Sequence, residues 1–173
     1  MIAFVFFLSS LFGAVPAKSE DLRTLFMKAV NSESAAKNLY STLSSQKLIP
    51  SDPAFAYLGA AETLMGKHAI SPFAKLEWLD KGLEKINQSV ASRPSDPVPI
   101  YLRISVESAV PSFLGRNKHL ESDKSTILSL FQKQKNNSDC TEILKTGKDL
   151  LGLNVLNKNQ SSLLQNYIKS CNH

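Results

Sequence analysis

One short motif is written twice in this chain. Pro50-Ser51-Asp52-Pro53 precedes Tyr57-Leu58, and Pro94-Ser95-Asp96-Pro97 precedes Tyr101-Leu102, at an offset of 44 residues. Aspartate is a preferred N-cap because its carboxylate accepts from the free amides of a helix's first turn, and proline fits the next position, where its missing N–H costs nothing. Asp52 and Asp96 are therefore each expected to start a helix. A repeat of this length is the mark of a helical unit that cannot bury its apolar face alone and must stack on neighbours.

The rest of the chain agrees with a helical stack. Glycine is scarce, aliphatic residues recur at three- and four-residue spacing, and no stretch alternates as a half-buried strand would. Phe73, Leu76, Leu79, Leu83, Ile86 and Val90 form one such stripe between Ser71-Pro72 and Pro94. Leu22, Leu25, Phe26 and Val30 form another, interrupted by Asn31-Ser32, and Ala35, Leu39, Tyr40 and Leu43 follow. Phe55, Leu58, Ala61 and Met65 lie on the first repeat, with Gly66 as the expected C-cap; Ile100, Tyr101, Ile104 and Val110 lie on the second, which Pro111 ends. Ser122 or Asp123 is expected to cap a helix carrying Ile127, Leu130 and Phe131, and two further helices carry Ile143, Leu144, Leu150 and Leu151, then Leu163, Leu164, Tyr167 and Ile168. The expectation is an all-α fold of about seven helices in stacked antiparallel pairs, a tetratricopeptide-like helical repeat with a unit longer than the usual ~34 residues.

The first 17 residues stand apart. Ile2 to Phe12 is an apolar run broken only by Ser9 and Ser10, and Val15 and Ala17 supply the small residues that precede a signal-peptide cut. The run is short for a bilayer span, which needs ~20 residues. No Lys or Arg precedes it. Residues 1–17 are thus read as a signal peptide, with an uncleaved anchor as the alternative, and 18–173 as a single helical domain. The expected address is extracytoplasmic, in the periplasm.

Export gives the two cysteines a meaning. Cys140 opens one expected helix and Cys171 closes the next, so an antiparallel hairpin brings them together, and an oxidising compartment favours a disulfide. Two buried free thiols are the alternative. Thiol catalysis is disfavoured, because the two cysteines are far apart in sequence, with no CxxC pair and no partnered histidine.

No catalytic signature is present. The chain has no Gly-x-Ser-x-Gly elbow, no glycine-rich phosphate loop and no HExxH pair, and no cofactor is expected. Net charge is +5 and the sequence pI about 9.2. The lysines are nevertheless dispersed and no aromatic groups interleave with them, so nucleic acid is not an expected partner. The candidate binding residues are Trp78, off its helix's apolar stripe; Tyr57 and Tyr101, equivalent in the repeat; His68 and His119, each after a lysine at a helix corner; Arg103; and Phe113 and Arg116 in the locally inconsistent stretch from Pro111 to His119. For Trp78 the first expectation is packing on a second helix contact, and for the histidines stabilisation at a helix C-terminus, ahead of a two-histidine metal or anion site.

The stretch Ala54-Phe55-Ala56-Tyr57-Leu58-Gly59-Ala60 through Lys67-His68 and Ser71-Pro72-Phe73-Ala74-Lys75-Leu76, with Ile100-Tyr101-Leu102-Arg103 and Pro111-Ser112-Phe113-Leu114-Gly115, resembles an uncharacterised family of exported, tetratricopeptide-like helical proteins of Bacteroidota. The resemblance covers Tyr40 to Leu130. It implies an all-helical fold and an extracytoplasmic address, and supplies no activity. The leading functional expectation is a non-catalytic module whose groove binds a protein or peptide. The alternatives are a small-ligand binder or enzyme using His68, His119, Arg103 and Arg116 around one pocket, and an adapter held at a membrane surface.

Overall fold

The structure, a computed structural model, describes residues 19–134 and 140–171. The expected signal segment lies outside the described residues. Those described form eight α-helices: α1 Ser19–Asn31, α2 Glu33–Ser44, α3 Pro53–His68, α4 Pro72–Ser92, α5 Pro97–Ala109, α6 Leu120–Gln134, α7 Thr141–Gly152 and α8 Lys158–Ser170, with a 3-10 turn at Ser112–Leu114. The all-helical expectation holds, with eight α-helices where about seven were expected. Ser32 is the break that divides the N-terminal stretch: its extended backbone lets its hydroxyl accept from the Ala35 amide and start α2 anew.

Each helix packs on its successor in the pairs α1–α2, α3–α4, α5–α6 and α7–α8. The odd-numbered helices also touch in series, α1 to α3 to α5 to α7, so they form one layer and the even-numbered helices back it. A single buried cluster runs from Leu22 and Phe26 through Ile86, Ile100, Leu102 and Phe131 to Leu164 and Ile168. Alternating helix direction places the α1–α2, α3–α4 and α5–α6 corners at one end of the stack. Cross-links at that end agree: Lys67 Nζ donates to the Val30 carbonyl at 2.8 Å, and His68 Nδ1 lies 4.0 Å from the Glu33 carboxylate.

Several helices start as their residues dictate. Ser71 caps α4 through the Ala74 amide, Asp96 caps α5 through the Val98 amide at 2.8 Å, and Asn157 forms a reciprocal capping box with Gln160 at α8. Asp52 departs from expectation, because its carboxylate turns back to accept from the Ile49 amide at 2.9 Å and makes no cap bond to α3. Asp123, one of the two expected caps of α6, lies inside the helix and is buried.

The apolar stripes hold except at their edges. Phe73, expected to face inward, is exposed, and Leu25 and Leu163 are partly so. The contact face of α4 instead passes through Gly82, which meets Gly59 of α3 backbone to backbone. A Cβ on Gly59 would stand 2.6 Å from the Gly82 carbonyl oxygen, so any side chain there forces the helices apart. Gly66, expected as a C-cap, lies within α3, where a Cβ would fall 2.9 Å from the Lys75 carbonyl oxygen. Trp78 does fill a second contact, edge-on to Tyr40 of α2 with ring centroids 5.2 Å apart and Lys81 Nζ over its face.

Cys140 directly precedes α7 and Cys171 directly follows α8, at disulfide distance with Cα atoms 5.8 Å apart. Closing the segment between them, with a separation of 31 residues, stabilises the hairpin by about 3–4 kcal/mol in the chain-entropy picture. The pair secures the last two helices at the end opposite the α3–α4 corner.

Candidate functional site

The inner face of the odd-numbered helices is where a groove is expected, and the molecule's own side chains fill it. Tyr57 of α3 and Tyr101 of α5 are buried there at equivalent places in the repeat. Arg23 of α1 reaches across to α7, where its Nε bonds the Asp149 carboxylate and its Nη2 donates to the Lys145 carbonyl at 2.8 Å. The Asp149 carboxylate raises the Arg23 pKa through that hydrogen bond. Burial pushes both phenols well above their usual value, the nearby Glu142 carboxylate adding to the effect at Tyr57 and Asp149 at Tyr101. Tyr101 packs, and its Oη directs its proton toward Met27 Sδ at 4.0 Å; Tyr57, mostly buried, lines a small cleft at the far end of the stack.

The residues expected around a corner pocket are each engaged by a partner of their own. Arg103 is buried on α5, making two 2.7 Å bonds to the Asp123 carboxylate of α6 and a third at 2.8 Å to Asn87 Oδ1 of α4. Arg116 makes two 2.9 Å bonds to the Asp80 carboxylate of α4, which hold that carboxyl below its usual range. His119 holds the buried Glu107 carboxylate twice, through its backbone amide at 2.9 Å and through Nδ1 at 2.8 Å. His68 sits near Glu33 with its Nε2 buried and unpartnered. Four candidates thus have four separate partners. No group of three or more His, Cys, Asp or Glu residues is placed to hold a metal among the described residues.

These contacts identify residues that spacing could not, namely Arg23, Asn87, Asp123 and Asp149, because their partners lie far away in sequence. A small cleft of about 130 Å³ opens at the far end, lined by Pro53, Tyr57, Arg93, Asp96, Val98 and Glu142. Arg93 Nη1 bonds Asp96 at 2.6 Å, while its Nε and Nη2 are buried without an acceptor.

The corner end differs in character. Ile70 is 100% exposed, Phe73 87% and Phe113 84%. Ile70 occupies the three-residue turn between α3 and α4, and Phe73 the first turn of α4. Phe113 occupies the 3-10 turn after α5, which Gly115 ends in the left-handed conformation at φ 64°. The Arg116–Asp80 pair ties that second corner to α4 only seven residues beyond Phe73, about 10 Å along the helix.

The chain matches no family model, no curated protein and no solved structure.

Proposed function

We propose that this chain is an exported, non-catalytic interaction protein on a tetratricopeptide-like scaffold, and that its apolar corner end, rather than its inner face, is the working surface. The observation that carries this reading is the exposure of Ile70, Phe73 and Phe113 at one end of a molecule whose candidate groups Arg103, Arg116 and His119 are each taken up by a carboxylate of the fold. On this reading, the large apolar side chains that the fold leaves in water at adjacent corners are the groups offered to a partner. The extracytoplasmic address is supported by the apolar run and small residues of 1–17 and by the Cys140–Cys171 pair. No described helix is long and apolar enough to cross a membrane.

Two measurements test this reading. Intact mass of protein from the native host should show loss of residues 1–17 and alkylation of Cys140 and Cys171 only after reduction; a full-length chain with free thiols would sink the address. Phe73→Ser/Phe113→Ser should keep the circular dichroism and Tm of the parent yet lose its binding partner, and full retention of binding would sink the docking surface.

The unpartnered Arg93 donors favour a second reading, a small carboxylate or phosphate in the 130 Å³ cleft. Thermal shifts in acetate and phosphate titrations, lost in Arg93→Gln, would support it; identical shifts in both proteins would sink it.

A further inference from the structure

Resting on the reading that the corner end is the working surface, we infer that its partner is an anionic lipid bilayer, into whose interfacial layer Ile70, Phe73 and Phe113 insert. Shape favours lipid over protein. A protein-docking patch has a packed apolar centre enclosed by a polar rim. Here the apolar groups stand singly on turn tips, each at least 84% exposed. A protein partner would have to envelop them one by one. The fluid boundary between headgroups and acyl chains accepts protruding side chains without a complementary mould, and apolar groups settle there ~5–10 Å deep.

Charge at the same end is complementary to an anionic surface. Lys67 closes α3, Lys75 lies in the first turn of α4 and Lys118 precedes α6. Lys75 and Lys118 have no ion-pair partner among the described residues, whereas most of the acids at this end are already held: Glu33 by Lys37 at 2.8 Å, Asp80 by Arg116, Glu107 by His119 and Glu121 by Lys124 at 2.7 Å. Glu77 has no ion-pair partner among the described residues, but it sits a full turn below Phe73, about 6 Å back from the tip. The surplus positive charge therefore lies beside the apolar groups, the arrangement that anionic headgroups attract.

The test is flotation of the full chain with vesicles of phosphatidylcholine alone and of phosphatidylcholine with phosphatidylglycerol. Trp78, the single tryptophan, serves as energy donor to a dansyl-labelled lipid, five residues along α4 from Phe73. Binding is expected to the anionic vesicles only, to weaken as salt screens the lysines, and to bring Trp78 within transfer range. Ile70→Ser/Phe73→Ser/Phe113→Ser should keep its circular dichroism and lose about tenfold in affinity for each phenylalanine removed. Leu163→Ser, on α8, should bind as the parent does. All these proteins carry the same N-terminal apolar run, so the differences report the corner end alone. Equal binding by parent and triple variant, or none by the parent, overturns the inference. If the parent ignores vesicles while the triple variant loses a co-purifying native protein, lipid is excluded and the docking reading stands; if no partner is lost either, both fall.

Discussion

The two copies of the repeat begin alike and hold their helices apart by opposite means. In the first, Gly59 and Gly82 bring the backbones of α3 and α4 into contact. The repeat aligns Gly59 with Arg103, and in the second copy that larger residue spans the space to α6 and is neutralised by Asp123, with Asn87 of α4 completing its bonds. One interface is set by the absence of side chains and the other by a buried ion pair. A shared helix-start motif therefore fixes where helices begin and leaves their separation to residues a few positions later.

The same contrast appears at the caps. The repeat also aligns Ile49 with Arg93. Arg93 takes one oxygen of Asp96 at 2.6 Å and leaves the other to the Val98 amide. Ile49 offers only a backbone N–H, which draws the Asp52 carboxylate away from α3. One residue thus decides whether an identical Pro-Ser-Asp-Pro sequence caps.

The strongest way to break the second interface is Asp123→Ala, which strands the buried Arg103 charge and is expected to cost about 3–5 kcal/mol. In urea denaturation, Arg103→Leu/Asp123→Leu should recover most of that loss, since the pair repays little beyond its own desolvation. Next comes Gly82→Ala, whose Cβ would lie 2.4 Å from the Gly59 carbonyl oxygen; overpacking predicts a loss of about 1–3 kcal/mol. The aligned test in the other copy, Thr126→Ala on exposed α6 surface, should change stability by less than about 0.5 kcal/mol.

The helix starts were legible in the sequence because prolines and short polar residues act locally. Ser71-Pro72 and Asp96-Pro97 needed nothing distant to do their work. The contact faces were less legible, since a stripe of large apolar residues cannot register glycine. Gly66 and Gly82 turn α4 so that Phe73 falls outside the interface, although it continues the spacing of Leu76 and Leu79. The candidate site was legible only as a list: Phe113 was singled out by the inconsistency of its neighbourhood, whereas the partners of Arg103, Arg116 and His119 depend on three-dimensional register.

Smaller effects sharpen the cap comparison. Asp96→Ala should cost about 1 kcal/mol and Asp52→Ala only a few tenths, because the first removes a true helix cap; paired Tm measurements decide it. The smallest effect at neutral pH is one the copies share. Tyr57 and Tyr101 ionise less readily folded than unfolded, so the protonated phenols contribute stability that is complete below the ordinary value of 10.0 and is lost as pH rises beyond it. Denaturation midpoints should fall in alkali for the parent, and less for Tyr57→Phe and Tyr101→Phe.

The reach of Arg23 from α1 to Asp149 on α7 has a consequence for cooperativity. An open array of repeats behaves as a one-dimensional chain of coupled units, and its ends fray first because each terminal unit has one neighbour. Here the first and last inner helices are bound to each other, which removes that weakness and makes the array a closed circuit. Amide exchange in α1 and α7 should then follow global unfolding alongside α3 and α5, with no gradient from the middle of the molecule outward.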